Sequence, residues 1–404
     1  MRLSAALFAL LLSVSPAWAG DQSATPPSTI KIGDIASYTG WANYAEPYRK
    51  GWQLALKEVN QEGGVLGRPL EVVSRDDHGS PSDTSLLVQE MVGDQDVSVI
   101  LGSMASNVTL ALSQECLKNH IPCVAPYGAA DRLLWADGHP YIFRLIPSST
   151  ALARIMFDQI KNSPKKRWAI VSAQYEFGQN MVRIIHEEIK RLRPDIEIVS
   201  EQWVPWKKIQ AGAVINALNS AKPEGIFLCL VTPDLAPFVR EGIKRKAFDN
   251  VQVVSYVLQR QDVGELYDIF PQGWVGFGYD SHHIEGPPQH KVFVDAYRRE
   301  YGEYPDDASA RGYTLIKLVA TAIKKAGTPE REAVKDALTG LPFDTPFGTT
   351  SFRLMDNQAH MGVWSGEVAK DDHGKTYMKN TAYISGESFW PRPDDTMPTQ
   401  LETR

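Results

Sequence analysis

The chain has 404 residues and a formal net charge of −6, with three cysteines and ten tryptophans. This length exceeds a single typical core and predicts two domains, and a mildly acidic chain without a basic stripe argues against nucleic acid as a partner. No CxxC pair and no Cys/His pair at metal-ligand spacing is present, which argues against a structural metal site.

The N-terminus has the features of a secretory signal. A positive residue precedes an apolar run over 7–14, and small residues follow at Ala17 and Ala19. The apolar run is too short to anchor the chain in a membrane. We therefore predict an exported protein with three terminal segments: a signal peptide over 1–19, a disordered leader over 20–28 and a tail over 391–404.

Strand-like and helix-like patterns alternate about every 30 residues along the remaining chain, which is typical of βαβ units and parallel sheets with covered faces. The sequence therefore predicts an α/β fold. Three late helices fit 288–302, 308–326 and 331–339. The predicted strands are 30–35, 70–73, 97–101, 121–125, 168–172, 196–200, 225–231, 251–255 and 274–278.

The stretch over 97–134 contains two strands that end in turns of small residues. The first turn leads into a helix, where Ser106 and Asn107 are good N-cap residues. The second turn covers 127–130. Backbone N–H groups and one helix N-terminus would then face the same crevice, which suits a carboxylate. The alternative interpretation is one ordinary βα unit of a parallel sheet.

The cysteines leave two interpretations open. Cys116 lies late on a predicted helix and Cys123 opens the following strand, a separation that a disulfide could close in an oxidising compartment. Alternatively, both are small buried hydrophobic residues. Cys229 lies in an apolar strand pattern, and we expect it to be a buried free thiol.

The run over 59–70, VNQEGGVLGRPL, followed by Asp76 and Asp77, resembles the N-terminus of periplasmic solute-binding proteins of the leucine/isoleucine/valine type, which serve ABC importers. The similarity continues through 102–106 and 175–178 to Phe347 and so covers nearly the whole mature chain. It implies a periplasmic-binding-protein type I fold, with two Rossmann-like lobes joined by three hinge crossovers and a ligand between them. It also implies a periplasmic location, a membrane ABC permease as partner and a monomer.

The resemblance also divides the chain. The first lobe would comprise 29–146 plus 278–346, and the second would comprise 147–277 plus 347–390. The chain would cross near Pro147, near Tyr279 and near 346–347. These crossings would act as hinges, since closure of two lobes around a ligand needs a few connecting residues that absorb the change in angle.

In this family a ligand carboxylate meets a serine and backbone N–H groups at the turn that Ala105, Ser106 and Asn107 occupy here. A second ligand loop, with an Ala-Thr pattern, falls on 127–130, where Ala129 stands at the threonine position. Amino-acid binders also place an acidic residue after the strand that matches 251–255, where it pairs with the ligand ammonium.

Here that position lies in a Tyr-Val-Leu-Gln-Arg loop over 256–260, which has no carboxylate. A desolvated ammonium without a counter-charge costs several kcal/mol. We therefore expect no acidic side chain beside the ligand and a small carboxylate without an amine, in particular an aromatic one. The candidate ligand-binding residues are Trp41, Tyr44, Ala105, Ser106, Asn107, Tyr127, Gly128, Ala129, Tyr175, Phe177, Val231, Gln259 and Arg311.

Each candidate has a simpler alternative. Ser106 could be a plain N-cap, Trp41 and Tyr44 could be surface aromatics, and Tyr127 could pack away from the pocket. Arg311 could contribute a bidentate fork to a carboxylate, or it could belong to an interlobe or surface ion pair. The clusters at 76–78 and 282–283 lack the convergent spacing of a metal site.

The sequence therefore predicts a binding protein that delivers a small, aromatic carboxylate to an ABC importer. The same fold could instead bind a branched-chain or other amino acid or an amide, or it could present a ligand to a membrane receptor as a sensor. An exported enzyme with Ser106 as nucleophile is the third hypothesis. No G-x-S-x-G elbow, G-x-G-x-x-G, P-loop or zinc motif is present, so we expect neither an enzyme nor a cofactor.

Overall fold

The computed structural model describes residues 28–259 and 264–390. The predicted signal peptide, the tail over 391–404, Arg260 and all of the leader except Ser28 lie outside the described residues. Among the helices of the described ranges, none is both long and apolar enough to cross a membrane.

The first lobe is built on a five-stranded parallel sheet of order β2-β1-β3-β4-β5. Helix α1 (Ala42–Gln61) covers one face, and α2 (Pro81–Gly93) and α3 (Ser106–Lys118) cover the other. Because both faces are covered, the central strands β3 and β4 are buried throughout and carry no polar side chains, whereas the edge strand β2 has polar, partly exposed residues. The strands are β1 (Ile30–Ala36), β2 (Leu70–Asp76), β3 (Ile100–Gly102), β4 (Cys123–Ala125) and β5 (Ile142–Arg144).

The second lobe is built on a seven-stranded sheet of order β14-β13-β10-β9-β8-β6-β7. Its parallel strands are β6 (Arg167–Ala173), β7 (Glu197–Val204), β8 (Gly225–Cys229), β9 (Gln252–Ser255) and β10 (Val275–Phe277). Helix α4 (Ser149–Asp158) precedes these strands, and the helices between them are α5 (Glu176–Leu192), α6 (Ala211–Ala221) and α7 (Leu235–Lys244). The α/β prediction with parallel sheets is confirmed.

After β10 the chain returns to the first lobe. It forms three helices there: α8 (Pro288–Tyr301), α9 (Asp307–Ala326) and α10 (Arg331–Leu338). A hairpin of β11 (Pro342–Thr345) and β12 (Gly348–Ser351) follows. The chain then adds the antiparallel strands β13 (Val363–Lys370) and β14 (Thr376–Ile384) to the edge of the second sheet.

The third crossing between the lobes therefore lies later than 346–347, where the sequence placed it. Phe343, Phe352 and Met361 are all buried in the core that α1 and α9 form with the first sheet. The chain pairs with the second sheet again only from Val363 onward. The segment between β12 and β13 has no regular apolar period, so the sequence offered no signal for this boundary.

A disulfide joins Cys116 near the end of α3 to Cys123 at the start of β4, with a Cα–Cα distance of 6.3 Å. Both residues are fully buried, and of the two interpretations left open by the sequence the disulfide is confirmed. The disulfide fixes the end of α3 to the sheet, and therefore helps to hold the opposite end of α3 at the edge of the interlobe cleft. Cys229 is a buried free thiol, as predicted.

Two glycines allow α1 and α9 to pack with their backbones in contact. A Cβ added at Gly51 would lie within 3.0 Å of the Ser309 backbone, and one added at Gly312 would lie within 3.0 Å of the Tyr48 carbonyl oxygen. Neither backbone can yield as a flexible side chain could. This close crossing brings the first turns of α9 to the cleft edge of the first lobe.

We expect Gly312→Ala to lower the free energy of unfolding by about 1–3 kcal/mol, because the added methyl group overpacks the α1–α9 contact. Thermal unfolding followed by circular dichroism measures the effect. Gly93→Ala is the matched control, since no heavy atom lies within 4 Å of a Cβ added there. Equal losses in the two variants would contradict this account of the crossing.

Candidate ligand-binding site

A cavity of about 840 Å³, counted with the solvent at its mouth, lies between the two lobes. Residues that follow the carboxyl ends of β1, β3 and β4 form one wall, and residues that follow β6, β8 and β9 form the other. This is where open α/β sheets bind ligands. The cavity brings together twelve of the candidate residues: Trp41, Tyr44, Ala105, Ser106, Tyr127, Gly128, Ala129, Tyr175, Phe177, Val231, Gln259 and Arg311.

Asn107 is the candidate that the cavity does not include. Its side chain is exposed to solvent on the first turn of α3. Helix α3 begins at Ser106, and its N-cap is Ala105, which has no side chain that can cap. The prediction that Ser106 or Asn107 caps this helix is therefore wrong, because the helix begins one residue earlier than an N-cap at Ser106 allows.

The N-terminus of α3 is suited to bind an anion for that reason. Among the described residues no side chain caps its first N–H groups, and the helix dipole places partial positive charge there. The Ser106 hydroxyl oxygen accepts a hydrogen bond from the Ala130 N–H at 3.3 Å, so its proton stays available for another acceptor. A carboxylate could therefore supply the cap that the chain lacks.

A buried arginine fixes the second loop of this wall. Arg144 is fully buried and donates hydrogen bonds to the carbonyl oxygens of Gly128 at 3.3 Å and Ala130 at 2.7 Å. Burial lowers the pKa of Arg144 to about 10, so the guanidinium remains charged at neutral pH. Since the C=O and N–H of one peptide point in opposite directions, the Ala129 N–H points away from Arg144. Gly128 itself has φ +82°, and a Cβ there would clash with Thr109.

Aromatic side chains dominate the cavity lining. Tyr44 and Tyr127 contact each other edge-to-face with ring centroids 6.1 Å apart, and Phe177 and Tyr256 lie 4.5 Å apart. Such walls suit a flat ring, which can stack or make edge contacts with each of them. The lining rings are those of Trp41, Tyr44, Tyr127, Tyr175, Phe177, Tyr256, Phe277, Tyr279 and Trp364.

Burial raises the pKa of Tyr127, Tyr175 and Tyr256 above the ordinary tyrosine value. Their hydroxyl groups therefore stay protonated throughout the physiological pH range. Neutral hydroxyl groups can donate hydrogen bonds to a ligand without adding negative charge that would repel a carboxylate.

Arg311 lines the cavity together with an acidic residue that the sequence analysis did not include. Asp307 accepts hydrogen bonds from Arg311 Nε at 2.7 Å and from Nη2 at 3.1 Å, one helical turn away on α9. Burial opposes the charge of Arg311, but the Asp307 carboxylate outweighs it, so the pKa of Arg311 lies above its ordinary value. The capping box of Asp306 and Ser309 fixes this first turn of α9.

The expectation that no acidic side chain stands beside the ligand is therefore wrong. It considered only the loop after β9, whose described residues 256–259 indeed carry no carboxylate. Asp307 enters the cavity from α9 instead. Because Arg311 holds both Asp307 oxygens, the pair brings little net charge to the cavity.

Several lining residues were absent from the sequence candidates. Asp307 could have been found, since it precedes Arg311 by four residues on the same helix face. Val363 and Trp364 could not, because they come from β13 after the third crossing and no local pattern links them to the cleft. The remaining additions are Met104, Ile146, Leu152, Tyr256, Val257, Phe277, Gly278 and Tyr279.

No group of three or more His, Cys, Asp or Glu side chains in residues 28–259 and 264–390 is placed to hold a metal ion. In the acidic cluster at 76–78, Asp77 is buried and accepts hydrogen bonds from Ser37 at 2.6 Å and Ser103 at 2.7 Å. Its contacts bind the loops after β1, β2 and β3 to one another, which is a structural role.

Comparison with known proteins agrees with this geometry. The sequence profile of a family described as periplasmic binding protein matches residues 29–374. The leucine-, isoleucine-, valine-, threonine- and alanine-binding protein of Pseudomonas aeruginosa is 23% identical over 331 residues, which cover 80% of this chain and 86% of the relative.

Solved structures share the fold at low sequence identity. A solute-binding protein of an ABC transporter from Rhodopseudomonas palustris, in complex with 3,4-dihydroxybenzoic acid, superposes with a TM-score of 0.78 at 23% identity and covers 89% of this chain and 98% of its own. A branched-chain amino acid transporter substrate-binding protein from Streptococcus pneumoniae, in complex with isoleucine, has a TM-score of 0.77 at 21% identity and covers 88% and 99%.

These relatives are binding proteins of transporters rather than enzymes. The family profile covers both lobes of this chain, and the fold is the periplasmic-binding-protein type I fold. The chain therefore belongs to the periplasmic binding protein family, as a solute-binding protein of the ABC-transporter type.

Proposed function

We propose that this protein binds a small aromatic carboxylate in the cleft between its lobes and delivers it to a membrane ABC permease from the periplasm. The observation that carries the proposal is a cavity lined by aromatic rings, one wall of which has the uncapped N-terminus of α3 and the Ser106 hydroxyl. The structural neighbour that holds 3,4-dihydroxybenzoic acid adds support, since its fold is the same.

Two contributions to binding can be sized from the cavity. Burial of about 150 Å² of ring surface at about 25 cal/mol per Å² contributes about 4 kcal/mol. Two charge-assisted hydrogen bonds to the carboxylate add about 1.5–3 kcal/mol each. The loss of translational and rotational freedom on binding costs about 4 kcal/mol or more. Micromolar binding, which corresponds to roughly 8 kcal/mol, therefore requires further contacts between the ligand and the cavity.

An α-amino acid fits this cavity less well. Asp307 is the acidic side chain among the described lining residues, and Arg311 already offsets its charge through a hydrogen bond to each of its oxygens. An ammonium beside Asp307 would also meet the Arg311 cation, so the attraction and the repulsion largely cancel. The neighbour that holds isoleucine has the same fold, so amino-acid binding is the alternative that experiment must decide.

We expect benzoate and its hydroxylated derivatives to raise the thermal unfolding midpoint, and leucine, isoleucine and glutamate to leave it unchanged. A ligand at a hundred times its dissociation constant adds about 2.7 kcal/mol to the free energy of unfolding. Differential scanning fluorimetry with both sets of ligands measures the shifts. A shift with an amino acid and none with the aromatic acids would overturn the proposed ligand class.

Ser106→Ala should weaken binding of the same aromatic acid by about 10- to 100-fold, because it removes one hydrogen bond to the carboxylate. Isothermal titration calorimetry gives the dissociation constants. Asn107→Ala is the matched control, since Asn107 is the next residue of the same helical turn but its side chain is exposed and outside the cavity. Equal effects of the two substitutions would argue against a ligand carboxylate at α3.

An aromatic contact between the two lobes borders the cavity. Trp41 of the first lobe stacks on Trp206 of the second, with ring centroids 4.4 Å apart and planes at 24°. Asp234 fixes the Trp206 loop by accepting hydrogen bonds from the N–H groups of Lys207 at 2.8 Å and Ile209 at 3.1 Å. Trp206 is not among the residues that line the cavity, whereas Trp41 is, so the stack joins a cavity-lining ring of the first lobe to the second lobe without contact between Trp206 and the ligand.

Trp206→Ala should therefore weaken the binding of every ligand by a similar factor, about 3- to 10-fold, which is the value of one aromatic pair. Calorimetry with two different aromatic acids measures both the loss and its uniformity. Trp203→Ala is the control, because Trp203 is a partly exposed tryptophan on β7 whose Nε1 donates to Glu201. A loss confined to one ligand would instead indicate direct contact between Trp206 and that ligand.

A further inference from the structure

Three hydrogen-bond donors in the cavity lining have no acceptor among the described residues. They are Arg311 Nη1, the Tyr127 hydroxyl and Trp364 Nε1, and all three atoms are buried. A buried polar group without a partner costs about 1–3 kcal/mol, and most such groups in folded proteins are satisfied. Three of the seven such atoms among the described residues belong to residues that line one ligand cavity, which favours an acceptor that comes from the ligand or from water that it displaces.

These donors come from elements other than the carboxylate wall. The carboxylate wall consists of the first turn of α3 and the loop over 128–130. Arg311 comes from α9, and Trp364 comes from β13, where its ring packs near Tyr279 and Tyr383. Tyr127 connects the two groups, since it precedes Gly128 and its ring lies 5.2 Å from the Arg311 guanidinium carbon.

The charges in this second group favour an uncharged acceptor. Asp307 neutralises Arg311 through two hydrogen bonds, so no net positive charge is left to balance a second carboxylate. An oxygen substituent on the ring could accept from one or more of the three donors. A hydroxyl substituent could in addition donate to Asp307, whose oxygens keep acceptor capacity beyond the two bonds from Arg311.

We propose that Arg311, Tyr127 and Trp364 form a second subsite, which recognises an uncharged oxygen substituent, a ring hydroxyl in particular, on an aromatic acid whose carboxylate binds at α3. This inference rests on the proposed function and specifies its substrate class. It makes the protein selective for hydroxylated aromatic acids over benzoate and over aromatic dicarboxylates.

The test compares benzoate, 3-hydroxybenzoate, 4-hydroxybenzoate and terephthalate on the full mature chain by calorimetry. We expect one of the hydroxybenzoates to bind at least tenfold more tightly than both benzoate and terephthalate. Tyr127→Phe and Trp364→Phe each keep a ring and remove one donor. Each should lower the ratio of hydroxybenzoate affinity to benzoate affinity by about three- to tenfold.

The ligand-free variants give a second measurement. Because each substitution removes an unsatisfied buried donor, the thermal midpoint of Tyr127→Phe should not fall. Tyr38→Phe is the control: the Tyr38 hydroxyl is outside the cavity and donates to Asp34 at 2.6 Å, so its loss should lower the midpoint and leave the affinity ratio unchanged.

The possible failures are distinguishable. If none of the aromatic acids binds, the proposed function itself is wrong. If they bind with equal affinity, or if the ratio is the same in both cavity variants as in the wild type, only the second subsite is overturned. Tightest binding of terephthalate would mean that the subsite takes a second carboxylate, which would also overturn its proposed preference for an uncharged oxygen.

Discussion

The hydrogen-bonded pair of Arg144 and Gln358 joins the segments that precede two of the crossings between the lobes. Arg144 Nε donates to Gln358 Oε1 at 2.8 Å, and Gln358 Nε2 donates to the Ile146 carbonyl at 3.0 Å. Arg144 stands just before the first crossing between the lobes, and Gln358 stands just before the third. Both side chains are buried, so the loss of either would leave polar groups unsatisfied in the core. The Arg144 guanidinium also fixes the cleft loop over 128–130, and the Ala129 N–H of that loop points away from Arg144.

The polar groups at the N-terminus of α3 and in the second group of donors differ from the Arg144 network. At Arg144, Nε and Nη1 donate to carbonyl oxygens of the frame, so the crossings and the loop are held in place. At α3 and in the second group of donors, the chain leaves N–H and O–H groups without protein acceptors. A binding protein needs both satisfied and unsatisfied polar groups. The satisfied groups make the frame rigid and so reduce the entropy lost on binding, and the unsatisfied groups can form hydrogen bonds with a polar ligand.

Much of the architecture follows from local pattern. Alternating strands and helices predicted the α/β fold, and the late helices were located to within a residue or two, because amphipathic spacing is visible in a single element. The cleft wall at Ser106 and Ala129 could be anticipated, since it follows directly from two strand ends. Asp307 was missed although its spacing from Arg311 was readable. The third crossing between the lobes was placed too early, because the buried aromatic residues in that segment lie between irregular turns and do not repeat with a helical or strand period.

The sequence by itself determined the order of the elements and the ring-bearing loops that end the strands, while the paired lobes were implied by the family resemblance. The order of the elements and these loops depend on residues close together in the chain. Only the tertiary structure decided that the Asp307–Arg311 pair lines the cleft, that Trp364 reaches the cleft from β13, and that Trp41 meets Trp206 across the lobes. Those contacts join residues far apart in sequence or depend on where a helix end lies in the packed molecule, and hydrophobic periodicity contains no information on either.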